Sequence, residues 1–162
     1  ARNVEAQVHV LRQLAARVKF PLTGAHVQEI VASAGKRWFL RRDLRMYLAG
    51  RPELTPTVRA RLDALHQLAL SRPATPAELD GWGLVRQGGI RDDHIAFMLM
   101  RSDEGIAAAC LALTREFLGR APAPSEVGLM YQQLQAGAAE EDLLGALLAS
   151  PDYEKRRGIP AR

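Results

Sequence analysis

The sequence has 162 residues, 48% apolar and 25% charged, enough for one ordinary domain to bury roughly two thirds of its unfolded surface without a metal or disulfide staple. A single cysteine, Cys110, excludes an internal disulfide and a multi-cysteine zinc site, and no apolar run approaches the roughly 20 residues that a membrane-spanning helix needs. The net charge of +4 is unevenly spread: residues 1–62 hold twelve Lys or Arg against four Asp or Glu, residues 63–162 ten against fourteen, which would steer an acidic partner to the N-terminal third.

Helical spacing governs the apolar residues from the start. Val4, Val8, Leu11, Ala15 and Val18 share one face and predict a helix over 3–18, and a second is predicted over 24–34, ended by Gly35. The stretch KRWFLRRDLRMYLAGR, Lys36 to Arg51, contains a predicted helix over 40–49 in which Leu40, Leu44, Tyr47 and Leu48 turn inward and leave Arg41, Arg42 and Arg45 together on the outer side. Thr55 with Pro56 reads as a cap and first helical residue, opening a helix over 56–71 with Val58, Leu62, Leu65 and Ala69 inward. Thr75, Pro76 and Glu78 form the threonine-x-x-glutamate capping box of a helix over 76–87, closed by Gly88 and Gly89.

Asp92 and Asp93 open the next predicted helix, 91–101, where negative charge complements the helix dipole; Phe97 to Met100 are apolar all round and predict a central, buried element. Ile106, Cys110, Leu113 and Phe117 mark a long helix over 104–118, so a buried, inert thiol is expected at Cys110. Two further helices are expected at 124–136 and 139–149, the second led by Glu140, Glu141 and Asp142. Nothing alternates with a period of two for long enough to compete as a strand, and the expected class is all-α.

The segment from Arg72 repeats from Arg120 at a constant offset of 48. Arg72 falls on Arg120, Pro76 on Pro124, Glu78 on Glu126, Gln87 on Gln135, Gly89 on Gly137, Leu99 on Leu147 and Ser102 on Ser150. A weaker copy lies upstream, with Thr23 on Thr75 and Val27 on Leu79, and, after one extra residue near Arg41, Leu44 on Ile95 and Leu48 on Leu99. The expectation is therefore three tandem three-helix repeats stacked into one compact array over 1–153, with units of about 1–51, 52–101 and 102–153, followed by a basic tail over 154–162. The chain opens at Ala1 without a methionine, which fits a piece of something longer.

The LGR turn (Leu118 to Arg120), the Pro124 and Glu126 helix start, the QLQAG helix end (Gln133 to Gly137) and the ASPDY close (Ala149 to Tyr153) together resemble a bacterial helical repeat family of unknown function, found in S-layer-associated, haemolysin-like and other envelope proteins. The part from QLQAG to SPDY is also similar to the helical domain of phycobilisome linker polypeptides, in which a small basic helical domain joins other proteins into an assembly. The resemblance covers residues 114–157 well and 66–104 fairly, and it implies an assembly role without cofactor chemistry.

Residue chemistry gives two readings of Lys36 to Arg51. Lys36, Arg37, Trp38, Arg41, Arg42 and Arg45 would form a face for an acidic protein surface, or alternatively interleave cations and aromatic rings to hold nucleic acid. Trp82 and Tyr131, on matching middle helices, are candidate aromatic anchors of an interface, with core filling the competing reading. His9, His26, His66 and His94 share no metal-ligand spacing and are expected at the surface or in caps. No serine elbow, phosphate-binding glycine loop, CxxC pair or HExxH helix occurs, so the expected role is non-catalytic, with no cofactor or metal. One cysteine suits a cytosol and a cell envelope or extracellular setting equally.

Overall fold

Nine helices stand where the spacing of apolar residues predicts them, every described end within two residues, and a tenth follows. The computed structural model describes residues 2–34 and 41–158 and is all-α across them, with no strand. In chain order the helices are α1 (Arg2–Arg17), α2 (Gly24–Ala34), α3 (Arg41–Ala49), α4 (Val58–Leu70), α5 (Pro76–Gln87), α6 (Asp92–Arg101), α7 (Asp103–Leu118), α8 (Pro124–Gln135), α9 (Glu140–Leu148) and α10 (Pro151–Arg156). The chain divides into two compact units, Ala1–Met100 and Arg101–Arg162.

In the first unit the stripes of α1, α3, α4 and α6 meet in one core. Leu11, Leu44, Leu48, Leu62, Leu65 and Ile95 are all at most 1% exposed. Ile30 from α2 joins them, whereas α5 contributes no buried residue and lies over the core through half-buried Leu79 and Trp82. In the second unit Ile106, Cys110 and Leu113 of α7 pack with Met130 of α8 and Leu143 of α9. Burial at Cys110 pushes its thiol pKa up, so it is held as an apolar, unreactive group.

The predicted box at α5 is complete. Thr75 Oγ accepts from the Glu78 amide, and the Glu78 carboxylate accepts from the Thr75 amide at 2.8 Å while receiving the Arg72 guanidinium on both oxygens, at 2.7 and 2.9 Å. The carboxylate half of this arrangement opens α8 at the offset of 48, where the cap position is Ala123 and offers no side-chain acceptor: Glu126 takes both Arg120 nitrogens at 2.7 Å and the Ala123 amide at 2.7 Å, and Arg120 donates to the Ala121 carbonyl as Arg72 does to that of Pro73. At α2 a histidine does the carboxylate's work. His26 Nδ1 accepts from the Thr23 amide at 3.1 Å, three residues beyond the cap as Glu78 is beyond Thr75.

Long helices end alike too. Lys19, Ser71 and Gly119 follow α1, α4 and α7, and all three take left-handed backbone angles, with φ of 53°, 58° and 70°. Ser102 caps α7 through the Gly105 amide and Ser150 caps α10 through the Tyr153 amide, again 48 residues apart.

Four expectations change. Helix α4 is capped by Thr57, which accepts from the Ala60 amide at 3.3 Å, not by Thr55. The reason is Arg61, which donates to the carbonyls of Arg51, Pro52 and Thr55 and so holds 51–57 in a loop that ends only at the second threonine. In consequence Val58 is 46% exposed instead of buried. Helix α6 is amphipathic: Leu99 and Met100 are buried, Phe97 is half-buried and Met98 is exposed, because Ile95, Ala96, Leu99 and Met100 together set the inward face. His66 is fully buried in α4, its Nδ1–H donating to the Leu62 carbonyl at 2.8 Å, rather than lying at the surface. Finally, residues 154–156, expected in a tail, belong to α10.

Candidate interaction surface

Helix α3 is fixed in rotation by its inward residues and by Tyr47. Leu44, Leu48 and Ala49 are buried, and the Tyr47 hydroxyl donates to Glu29 of α2 at 2.7 Å beneath the Arg51 guanidinium, 4.9 Å from the ring centroid. Burial first, and then the bond to Glu29, raise the phenol's pKa well above its usual value, so the ring is a neutral strut between the two helices. With the helix so oriented, Arg42 points outward and is exposed, while Arg41 and Arg45 are half-buried. The Arg42 guanidinium lies 5.8 Å from the Phe97 ring centroid of α6, within cation–π range.

Arg17, unnoticed in the sequence, adds to this side. It donates to Ser71 Oγ at 3.1 Å. Although the residue is exposed as a whole, desolvation of its charged end, followed by the like charge of Arg45, lowers its pKa from the ordinary arginine value. A cation of α1 thus lies near enough to one of α3 to feel its charge. Only the three-dimensional packing of α1 on α3 could reveal that neighbour, since 28 positions separate the two arginines. Lys36, Arg37 and Trp38 lie outside the described residues.

The two candidate aromatic anchors are placed differently from the arginines and in separate units. Trp82 is half-buried against the core of the first unit. Tyr131 is half-buried against the cluster of Ile106, Cys110 and Met130 in the second, and its hydroxyl donates to Asp103 at the start of α7. That bond, with some burial, raises the phenol's pKa.

Elsewhere in the first unit a depression of about 410 Å³ lies between α4 and α5. Val58, Leu62, Leu79 and Leu84 wall it, and Gly83 forms part of its lining without a side chain. Leu84 is 69% exposed. Arg59 and Asp80, also lining it, form an ion pair at 2.9 Å. A more polar hollow near Gly50 is closed chemically by its own charges, Arg86 with Asp92 at 2.8 Å and Arg91 with Asp93 at 2.6 Å. Among the described residues no cluster of His, Cys, Asp and Glu is arranged to hold a metal ion, and no helix is long and apolar enough to cross a membrane.

The chain matches no protein family, no curated protein and no solved structure.

Proposed function

We propose that this chain is a non-catalytic protein-interaction domain, a linker or scaffold element of a larger bacterial structure or of an envelope-associated protein, built from three diverged copies of one helical unit. The observation that carries this reading is the cationic character of α3 and its surroundings, with Arg42 exposed over Phe97 and Arg45 near enough for Arg17 to feel its charge. Charge of one sign on a rigid helical face favours association with an acidic protein surface and sets its orientation. The recurrence of the arginine–glutamate start at α5 and α8, and of left-handed closures after α1, α4 and α7, supports descent of the units from a common one. The LGR and SPDY pieces of the resemblance coincide with two of these devices, Gly119 and the Ser150 cap.

The test is affinity capture by the 1–162 chain beside an Arg41→Glu, Arg42→Glu, Arg45→Glu version. Retained partners should survive nuclease and be lost on charge reversal. Capture unchanged by the three reversals removes the basic face from the function. Capture abolished by nuclease, with affinity falling steeply with salt, transfers it to nucleic acid.

A further inference from the structure

The two units contain the same helix pair, α4 with α5 and α7 with α8, and differ in what lies between the helices. At the offset of 48, Val58 corresponds to Ile106, Leu62 to Cys110 and Leu79 to Val127, apolar in both units. Gly83 corresponds to Tyr131. In the second unit that tyrosine reaches from α8 toward α7, packs on the Ile106 and Cys110 cluster and ends in a hydrogen bond to Asp103. In the first unit the equivalent position has no side chain, and the depression of about 410 Å³ opens beside it. A Cβ built on Gly83 would meet nothing within 4 Å, so neither backbone nor neighbour requires glycine there. Leu84, among the described residues the most exposed large apolar one, stands at the mouth where the second unit carries the exposed polar Gln132.

We propose that the α4–α5 groove receives a tyrosine-like aromatic side chain from an acidic segment of a partner protein, occupying the place that Tyr131 fills from within in the second unit. The aromatic class follows from that internal counterpart. The acidic flanks follow from charge: residues 1–100, which hold the groove, carry fifteen Lys or Arg against nine Asp or Glu. An inserted ring would cover Val58 and Leu84, surface that is otherwise left in water. A buried aromatic anchor is the usual centre of such an interface, and burying one ring sustains at least a tenfold preference over alanine. The inference rests on reading the chain as a protein-binding module, but it uses a different surface from the α3 arginines.

The probe is a pair of capped, fluorescently labelled pentapeptides, Asp-Glu-Tyr-Glu-Asp and Asp-Glu-Ala-Glu-Asp, titrated by anisotropy into the 1–162 chain. The tyrosine peptide should bind at least tenfold more tightly than the alanine peptide. Gly83→Tyr should erase that ratio while keeping the helical circular dichroism of the parent, and Gly83→Ala should leave it within about twofold. Leu84→Gln, at a position too exposed to affect folding, should reduce the ratio severalfold. Equal affinity for the two peptides, no binding of the tyrosine peptide at millimolar protein, or an unchanged ratio in both Gly83→Tyr and Leu84→Gln overturns the proposal. The Arg41, Arg42, Arg45 reversal distinguishes the two readings: it weakens both peptides together if the basic face assists, and leaves the tyrosine-to-alanine ratio, which reports the groove alone, untouched.

Discussion

Left-handed backbone angles at three helix ends expose a difference that side-chain identity alone determines. An L-residue in this conformation is strained by about 1–2 kcal/mol, and glycine is not. Gly119 uses that freedom twice, because a Cβ there would lie 3.1 Å from the Arg156 guanidinium, whose Nη1 donates to the Glu116 carbonyl at the end of α7. Gly119→Ala should therefore lower stability by about 1–2 kcal/mol. Ser71 sits in the same conformation with a side chain whose hydroxyl accepts from the exposed Arg17. Replacing it by glycine should raise stability by about 0.5–1 kcal/mol, the relieved strain outweighing the added chain entropy. Chemical denaturation of the two variants beside the parent checks both signs, and a stabilised Gly119→Ala would show that the left-handed turn is not needed.

At the scale of the helix, capping residues can be weighed against each other within one loop. Thr57 accepts from the Ala60 amide, whereas the Thr55 hydroxyl donates to the Thr57 carbonyl and takes no part in the helix. Thr57→Ala should cost about 1 kcal/mol and Thr55→Ala less than half of that, measured by urea midpoints; the reverse order would restore the start at Pro56. Helix existence and type were legible because each inward stripe, such as Leu11 with Ala15 and Val18, keeps its 3.6-residue period over several turns. The Thr55 reading failed since a cap motif is local, while Arg61, which decides the loop, acts from six residues downstream of Thr55. His66 was misplaced for a related reason: its burial comes from the packing of α4 within the first unit's core, and its Nδ1–H is taken by the preceding turn's carbonyl, neither of which any local motif signals. The box at Thr75, by contrast, is wholly contained in four consecutive residues and was readable in full.

Over the whole molecule, the sequence shows the charge imbalance and the offset of 48 but not which cations meet. Arg17 comes near Arg45 only through packing, and the depression beside Gly83 opens only where α5 packs on α4. The paired arginine–glutamate starts also make both units sensitive to acid in the same way. The Arg120 guanidinium, ahead of the Ala123 amide, holds the Glu126 carboxyl down to about 2, and Arg72 with the Thr75 amide holds Glu78 well below the usual carboxylate range. A carboxyl whose folded value is depressed stabilises the fold above its unfolded value, near 4.3, and loses that contribution as pH falls through the folded one. The thermal midpoint should accordingly fall as pH is lowered from about 5 to about 2. In a Glu78→Gln, Glu126→Gln double variant the midpoint should start lower and the decline should flatten; a decline as steep as the parent's would place the acid sensitivity in other carboxylates.

The paired serine caps carry a consequence for how such a chain can be edited. Ser102 and Ser150 present the same side-chain oxygen, three residues ahead of the amide it receives, to helices that begin in the same register. A gene duplicated in frame over residues 103–150 would join Ser150 to a second Asp103 and reproduce at the seam the junction already present between Ser102 and Asp103. Length in this protein is in that sense a countable quantity, open to change in steps of 48 residues without a new turn having to be invented.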